Sequence, residues 1–244
     1  MHALALSLLF AAACDTADDT IDMEDTGTED PDSEDTGLEE SEEDVILAIG
    51  DFIMAANAES GASIADVISA SVGVEVVNNA AQGALLTGEA GADIINQYAE
   101  GDWSWLVLNG GIKDLQTECG CDGCEEVMDA MISEDGTAGG LPAFLAGVTD
   151  QGIHVAALGY YLVREDVTDV VGACYDEMFE LNARLETMAE TNERVWYAPT
   201  MPLLDGTDAA LYDELGLLPS EEGSALIGTA LSNLIRSTDN EIDW

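Results

Sequence analysis

Val45–Ser63 reads VILAIGDFIMAANAESGAS. Five apolar residues, Val45–Ile49, are followed by Gly50-Asp51 and then by small and polar residues. This is the pattern of a buried strand that ends in a turn. In open α/β sheets, the turn at a strand's C-terminal end is where ligands sit. The side chain carried there is Phe52, which has no nucleophilic atom. The stretch has the backbone of a site without a reactive group on it.

Outward from that strand, apolar runs of strand length alternate with helical patterns, which predicts a parallel sheet covered on both faces. The predicted strands are Val45–Ile49, Val74–Val77, Leu106–Asn109, His154–Gly159 and Val195–Ala198. Helices are predicted within Ser63–Ser71, Ala92–Tyr98, Glu125–Ile132, Leu141–Thr149, Cys174–Ala189 and Glu221–Ile235. Right-handed crossovers then give an α/β fold, a three-layer α/β/α sandwich around a five-stranded parallel sheet. The loops at the strand C-termini read GDF, NAAQGA, NGGIKDL and GYY.

Those loops, in that order, resemble the SGNH (GDSL-type) hydrolases over Val45–Ile235. The resemblance implies a flavodoxin-like sandwich and hydrolysis of acyl or acetyl esters on lipids or carbohydrates. The family's first block is Gly-Asp-Ser with a nucleophilic Ser; here it is Gly50-Asp51-Phe52. Its second block supplies an oxyanion-hole Gly, which the resemblance places at Gly83. Its third is Gly-x-Asn-Asp with a donor Asn, matched by Gly111-Ile112-Lys113-Asp114. Its last is Asp-x-x-His-Pro followed by Ser and Gly. LGLLPSEEGSALIG matches from Pro219 onward and puts Leu215 and Leu218 at the Asp and His positions.

Acyl transfer needs a hydroxyl nucleophile, an imidazole to take its proton and donors at the developing oxyanion. Phe52 lacks the first. Of two histidines, His2 falls in the N-terminal segment and His154 begins an apolar run, HVAALGYY, as a structural strand residue. Asp213 stands near the missing acid but has no imidazole to orient. Ser60 and Ser63 read as a loop residue and a helix N-cap. Phe52, Leu215 and Leu218 are expected to pack as an apolar plug. Lys113 is expected either to pair with Asp51 or Asp114 at an oxyanion-like pocket with Gly83, or to reach solvent. The expectation is a catalytically inactive member with a binding or scaffolding role. The alternatives are an active ester hydrolase with displaced residues and a structural envelope protein.

The chain has 244 residues, 51 of them acidic and 5 basic, for a net charge of −46. Such a surface repels nucleic acid and anionic headgroups, so neither is expected as a direct partner. The acidity is not confined to the N-terminus, because 35 of the acidic residues follow Asp44. LALSLLFAAAC (Leu4–Cys14) reads as an export signal too short to span a bilayer. Small residues before Cys14 resemble a bacterial lipoprotein signal, which implies lipidation at Cys14 and a place in the cell envelope. Residues 15–44 are about half Asp and Glu and are expected to be a disordered tether before a domain over 45–237 and an acidic tail over 238–244.

Cys119, Cys121, Cys124 and Cys174 predict two disulfides in an exported domain. Bridging Cys119 to Cys121 would strain the backbone, so Cys174 is expected to pair with one of them and Cys124 with the other. Four cysteines also match a zinc ligand count, but the spacing lacks paired knuckles and no metal or cofactor is expected. Trp103 and Trp105 are read as core rather than as a sugar platform. The expected ligand is a carbohydrate or an acylated envelope molecule, and the domain is expected to be a monomer.

Overall fold

The computed structural model describes residues 45–86, 93–167 and 174–238. The signal, Cys14, the tether and the last six residues of the tail lie outside the described residues. The strands are β1 (Val45–Ile49), β2 (Glu75–Asn78), β3 (Trp105–Leu108), β4 (His154–Leu158) and β5 (Val195–Ala198). All pair in parallel, in the order β2-β1-β3-β4-β5. The helices are α1 (Phe52–Ala55), α2 (Ile64–Val72), α3 (Ile112–Asp114), α4 (Glu125–Met131), α5 (Gly140–Thr149), α6 (Tyr175–Glu190) and α7 (Glu221–Thr238). The strand order reverses after β1, so right-handed crossovers send α2 and the later helices to opposite faces of the sheet. The last helix, α7, returns to pack on α2, which closes the three-layer sandwich.

Each element follows from its residues. β1, β3 and β4 are covered on both faces, and Ile46, Leu47, Leu106, Val107, Val155 and Ala156 have no exposed surface. α2 starts at a capping box in which Ser63 caps Asp66 and Asp66 reaches back to the Ser63 amide. α6 buries Met178, Leu181, Leu185 and Met188 along one stripe, and α7 buries Ile227, Leu231 and Ile235. Arg184 on α6 holds α4 through Asp129 at 2.6 Å and the Ile132 carbonyl at 2.7 Å. No helix among the described residues is long and apolar enough to cross a membrane.

Several elements depart from the predicted bounds, β3 among them by one residue at Trp105–Leu108, and two of the departures have a clear structural cause. β2 sits one residue later than expected, because its ends are set by the register Val45↔Glu75 to Ala48↔Asn78 and not by its own hydropathy. The predicted helix Ala92–Tyr98 is a single turn, Ile95–Gln97, with Ala92 outside the described residues. Gln97 is drawn off to bind the Gly50 backbone twice, accepting from its N–H at 2.7 Å and donating to its carbonyl at 3.0 Å.

Candidate ligand cleft at the C-terminal edge of the sheet

The loops after β1, β3 and β4 are tied together beneath the site by buried polar groups. Asp51 caps α1 by accepting the Ile53 N–H at 2.9 Å. Its carboxylate also accepts from Asn109 Nδ2 at 2.5 Å and Tyr160 Oη at 2.6 Å. Asn109 Oδ1 accepts the Asp51 N–H in return, at 3.2 Å. Tyr160 is held by Asn182 of α6, which bonds both its N–H and its carbonyl. Gly50 is required here because a Cβ would lie 2.1 Å from Asn109 Oδ1. Burial raises the Asp51 carboxyl above its ordinary value, opposed by the Tyr160, Ile53 and Asn109 hydrogen bonds. Burial, with the Asp51 charge second, pushes the Tyr160 hydroxyl well above its ordinary range.

Asp114, also fully buried, fastens the second loop. It accepts the Leu86 N–H at 2.8 Å, so the segment carrying Gly83 is held against α3. Gly83 itself has φ +76°, a left-handed conformation that favours glycine. The loop before α7 is closed on itself. Asp213 Oδ1 accepts the amides of Leu217 and Leu218 at 2.9 and 3.1 Å, and Tyr161 donates to the Leu217 carbonyl.

Above this framework lies a cleft of about 380 Å³. Phe52, Gly83, Lys113, Leu215 and Leu218 all line it, so four loops far apart in sequence converge on one place. Three expectations are corrected. Asp51 and Asp114 are not pocket residues; both lie buried under the floor, occupied by backbone amides. Lys113 makes no ion pair with either, since those carboxylates are turned inward to the loops they hold. Phe52, Leu215 and Leu218 do not form a plug. They line an open cleft, and Leu215 is 68% exposed on a turn whose shape is set by Asp213.

The other readings fall away from the cleft or beside it. His154 opens β4 at the opposite edge of the sheet, stacked edge-on against Trp105 and Trp196. At about 3.3 Å per residue, four residues put it roughly 13 Å from the C-terminal end of its strand. Trp105 is fully buried in β3 and Trp103 donates to the Ala99 carbonyl, so neither forms a platform. Ser63 caps α2 and Ser60 lies in a turn, as read from the sequence. The cysteines pair as Cys119–Cys124 and Cys121–Cys174. The second bridge joins the segment after α3 to the start of α6, and Cys174 lines the cleft. Closing a span of 53 residues, it restrains the unfolded chain by about 4 kcal/mol.

Sequence reasoning did not single out Asn109, Tyr160 or Asn182. The signal for Asn182 was a polar residue within the apolar stripe of α6. That for Asn109 was an amide ending an otherwise apolar strand. Neither pattern names its partner, because the partners lie 22 and 58 residues away.

No protein-family model matches the chain, and no curated protein sequence does. Solved structures match its fold. A protein from Slackia heliotrinireducens assigned to the SGNH hydrolases superposes with a TM-score of 0.55 at 16% identity, over 79% of this chain and 99% of that one. A member of the lipolytic G-D-S-L family from Veillonella parvula gives 0.56 at 15% identity, over 78% and 97%. A carbohydrate acetylesterase family member from Sinorhizobium meliloti gives 0.57 at 10% identity, over 80% and 98%.

Proposed function

We propose that this domain, which has the SGNH-hydrolase fold, is a non-catalytic binding module held at the bacterial envelope through Cys14. The observation that carries the reading is the pair Phe52 and Leu218. Both face the cleft as hydrocarbons at the positions where the resemblance puts nucleophile and base. Among the described residues no imidazole lies near them, since His154 is at the other edge of the sheet. An open cleft of about 380 Å³ supports binding over pure scaffolding, because it falls within the roughly 300–1,000 Å³ of small-molecule sites.

The alternative, an ester hydrolase with displaced machinery, takes its support from the esterase names of the structural neighbours. It would need a hydroxyl in the cleft, and those present are tyrosines. Tyr160, Tyr161 and Tyr175 all have acidities lowered by burial, and the first two have hydroxyls already engaged, which makes them poor nucleophiles at neutral pH.

Purified protein is expected to hydrolyse p-nitrophenyl acetate, p-nitrophenyl butyrate and acetylated sugars no faster than background. Phe52→Ser is expected to stay inactive, because its hydroxyl would face Leu218 where an activating base is needed. Wild-type turnover that a serine-directed phosphonate abolishes would refute the non-catalytic reading. For the anchor, Cys14→Ser is expected to release the protein from membranes in a bacterial host; unchanged membrane association would remove that part.

A further inference from the structure

Lys113 is the sole lysine of a chain with 51 acidic residues. A surface so rich in carboxylates would ordinarily supply it with a counter-ion, yet it forms no ion pair with any of the described carboxylates. The ion pairs among the described residues belong to arginines, Arg164 with Asp166 and Arg184 with Asp129 and Glu180. Lys113 instead lines the cleft, partly withdrawn from water, where an ammonium without a partner favours any anion that enters. Gln116 follows at i+3, on the same side of the turn that continues α3. Gln82 lies beside Gly83 on the second loop. Both glutamines line the cleft, both are exposed, and neither side-chain amide hydrogen-bonds another described residue.

Much of the remaining wall is hydrocarbon, from Ile53, Met178 and Leu217 as well as Phe52 and Leu218, with Tyr160, Tyr161 and Tyr175 beside it. Its other charged side chain, Asp213, has Oδ1 committed to the amides of Leu217 and Leu218. One cation and two spare amides beside apolar walls select among ligands. A phosphate or dicarboxylate would bring more negative charge than a single ammonium can balance, within the field of a protein at −46. A neutral sugar would leave Lys113 unpaired and its own hydroxyls against hydrocarbon. A monocarboxylate with an alkyl tail satisfies both parts.

We propose that the cleft binds a free fatty acid, its carboxylate paired with Lys113 and hydrogen-bonded by Gln82 and Gln116, its chain along the apolar wall. This rests on the non-catalytic reading of the same site, since a carboxylate bound there is an end state and not a substrate.

The test is calorimetric titration of the full-length chain with dodecanoate and with 1-dodecanol, below their aggregation concentrations, for wild type, Lys113→Met and Lys113→Arg. One dodecanoate per chain is expected. Lys113→Met weakens it roughly tenfold and Lys113→Arg by less than about threefold. Dodecanol, which carries no charge, binds wild type and Lys113→Met alike. Each methylene removed from the acid weakens binding by about fourfold. Failure of dodecanoate to bind, or binding equal in wild type and Lys113→Met, overturns the proposal while leaving the non-catalytic reading intact. Methanol released from methyl dodecanoate by wild type overturns both.

Discussion

Beneath the cleft, buried Asp51 is bonded to Asn109 and to Tyr160, whose ring reaches the cleft wall, with every carboxylate bond between 2.5 and 2.9 Å. Directly above them Phe52, Lys113 and Leu218 share the cleft surface without a hydrogen bond among them. The two layers obey different constraints. A buried carboxylate stripped of one donor retains its desolvation cost, so the lower layer tolerates change only as a set. The upper layer meets water or a ligand, and a hydrocarbon there strands no polar partner. A fold can therefore keep a buried polar frame fixed while the side chains of the cleft above it vary.

This contrast can be broken first at its lower layer. Asp51→Ala would leave the Tyr160 hydroxyl, the Asn109 amide and the Ile53 N–H without an acceptor. A loss of roughly 3–5 kcal/mol in urea unfolding is expected. A loss under about 1 kcal/mol would show that water reaches the network and that the floor is no frame at all.

The upper layer should respond far less. Phe52 is partly buried, and Phe52→Ser is expected to cost about 1–2 kcal/mol. Leu215 stands 68% exposed, and Leu215→Asp should change stability by less than about 0.5 kcal/mol. If either equals the Asp51→Ala loss in the same unfolding experiment, the separation into two layers is wrong.

The smallest expected effect is a slope. Burial raises Asp51 above its ordinary pKa of 3.8, so between the unfolded and folded values the native state holds more protons than the unfolded state. Its contribution is fully present below the unfolded pKa and is lost as pH rises through the folded one. The stability advantage of wild type over Asp51→Asn should accordingly shrink as pH climbs from the unfolded value. Asp135 and Asp205, lowered by their hydrogen bonds, act in the opposite sense but equally in both proteins. Urea midpoints taken across pH 4–8 check this; an advantage that grows with pH would contradict the assignment.

Much of this architecture was legible before any coordinates. Apolar runs bounded by turns located β1, β4 and β5, and the N-cap residue Ser63 marked the start of α2, because such signals depend on neighbours within a few residues. The four loops at the strand C-termini also converge on the cleft. The short turn Ile95–Gln97 was not legible, since Gln97 is claimed by Gly50, 47 residues away.

By itself, the sequence determined the α/β/α layering, the place of the cleft at the strand C-termini, and the hydrocarbon side chains Phe52 and Leu218 on the loops that line it. These rest on periodicity and residue identity, which are local properties. Only the tertiary structure decided that Asp51 and Asp114 turn inward, that Cys121 and not Cys119 meets Cys174, and that Lys113 faces the open cleft with no ion pair among the described residues. Each of those outcomes depends on which loop lies against which. That is set by packing across the sheet edge, between residues that no local pattern in the chain connects.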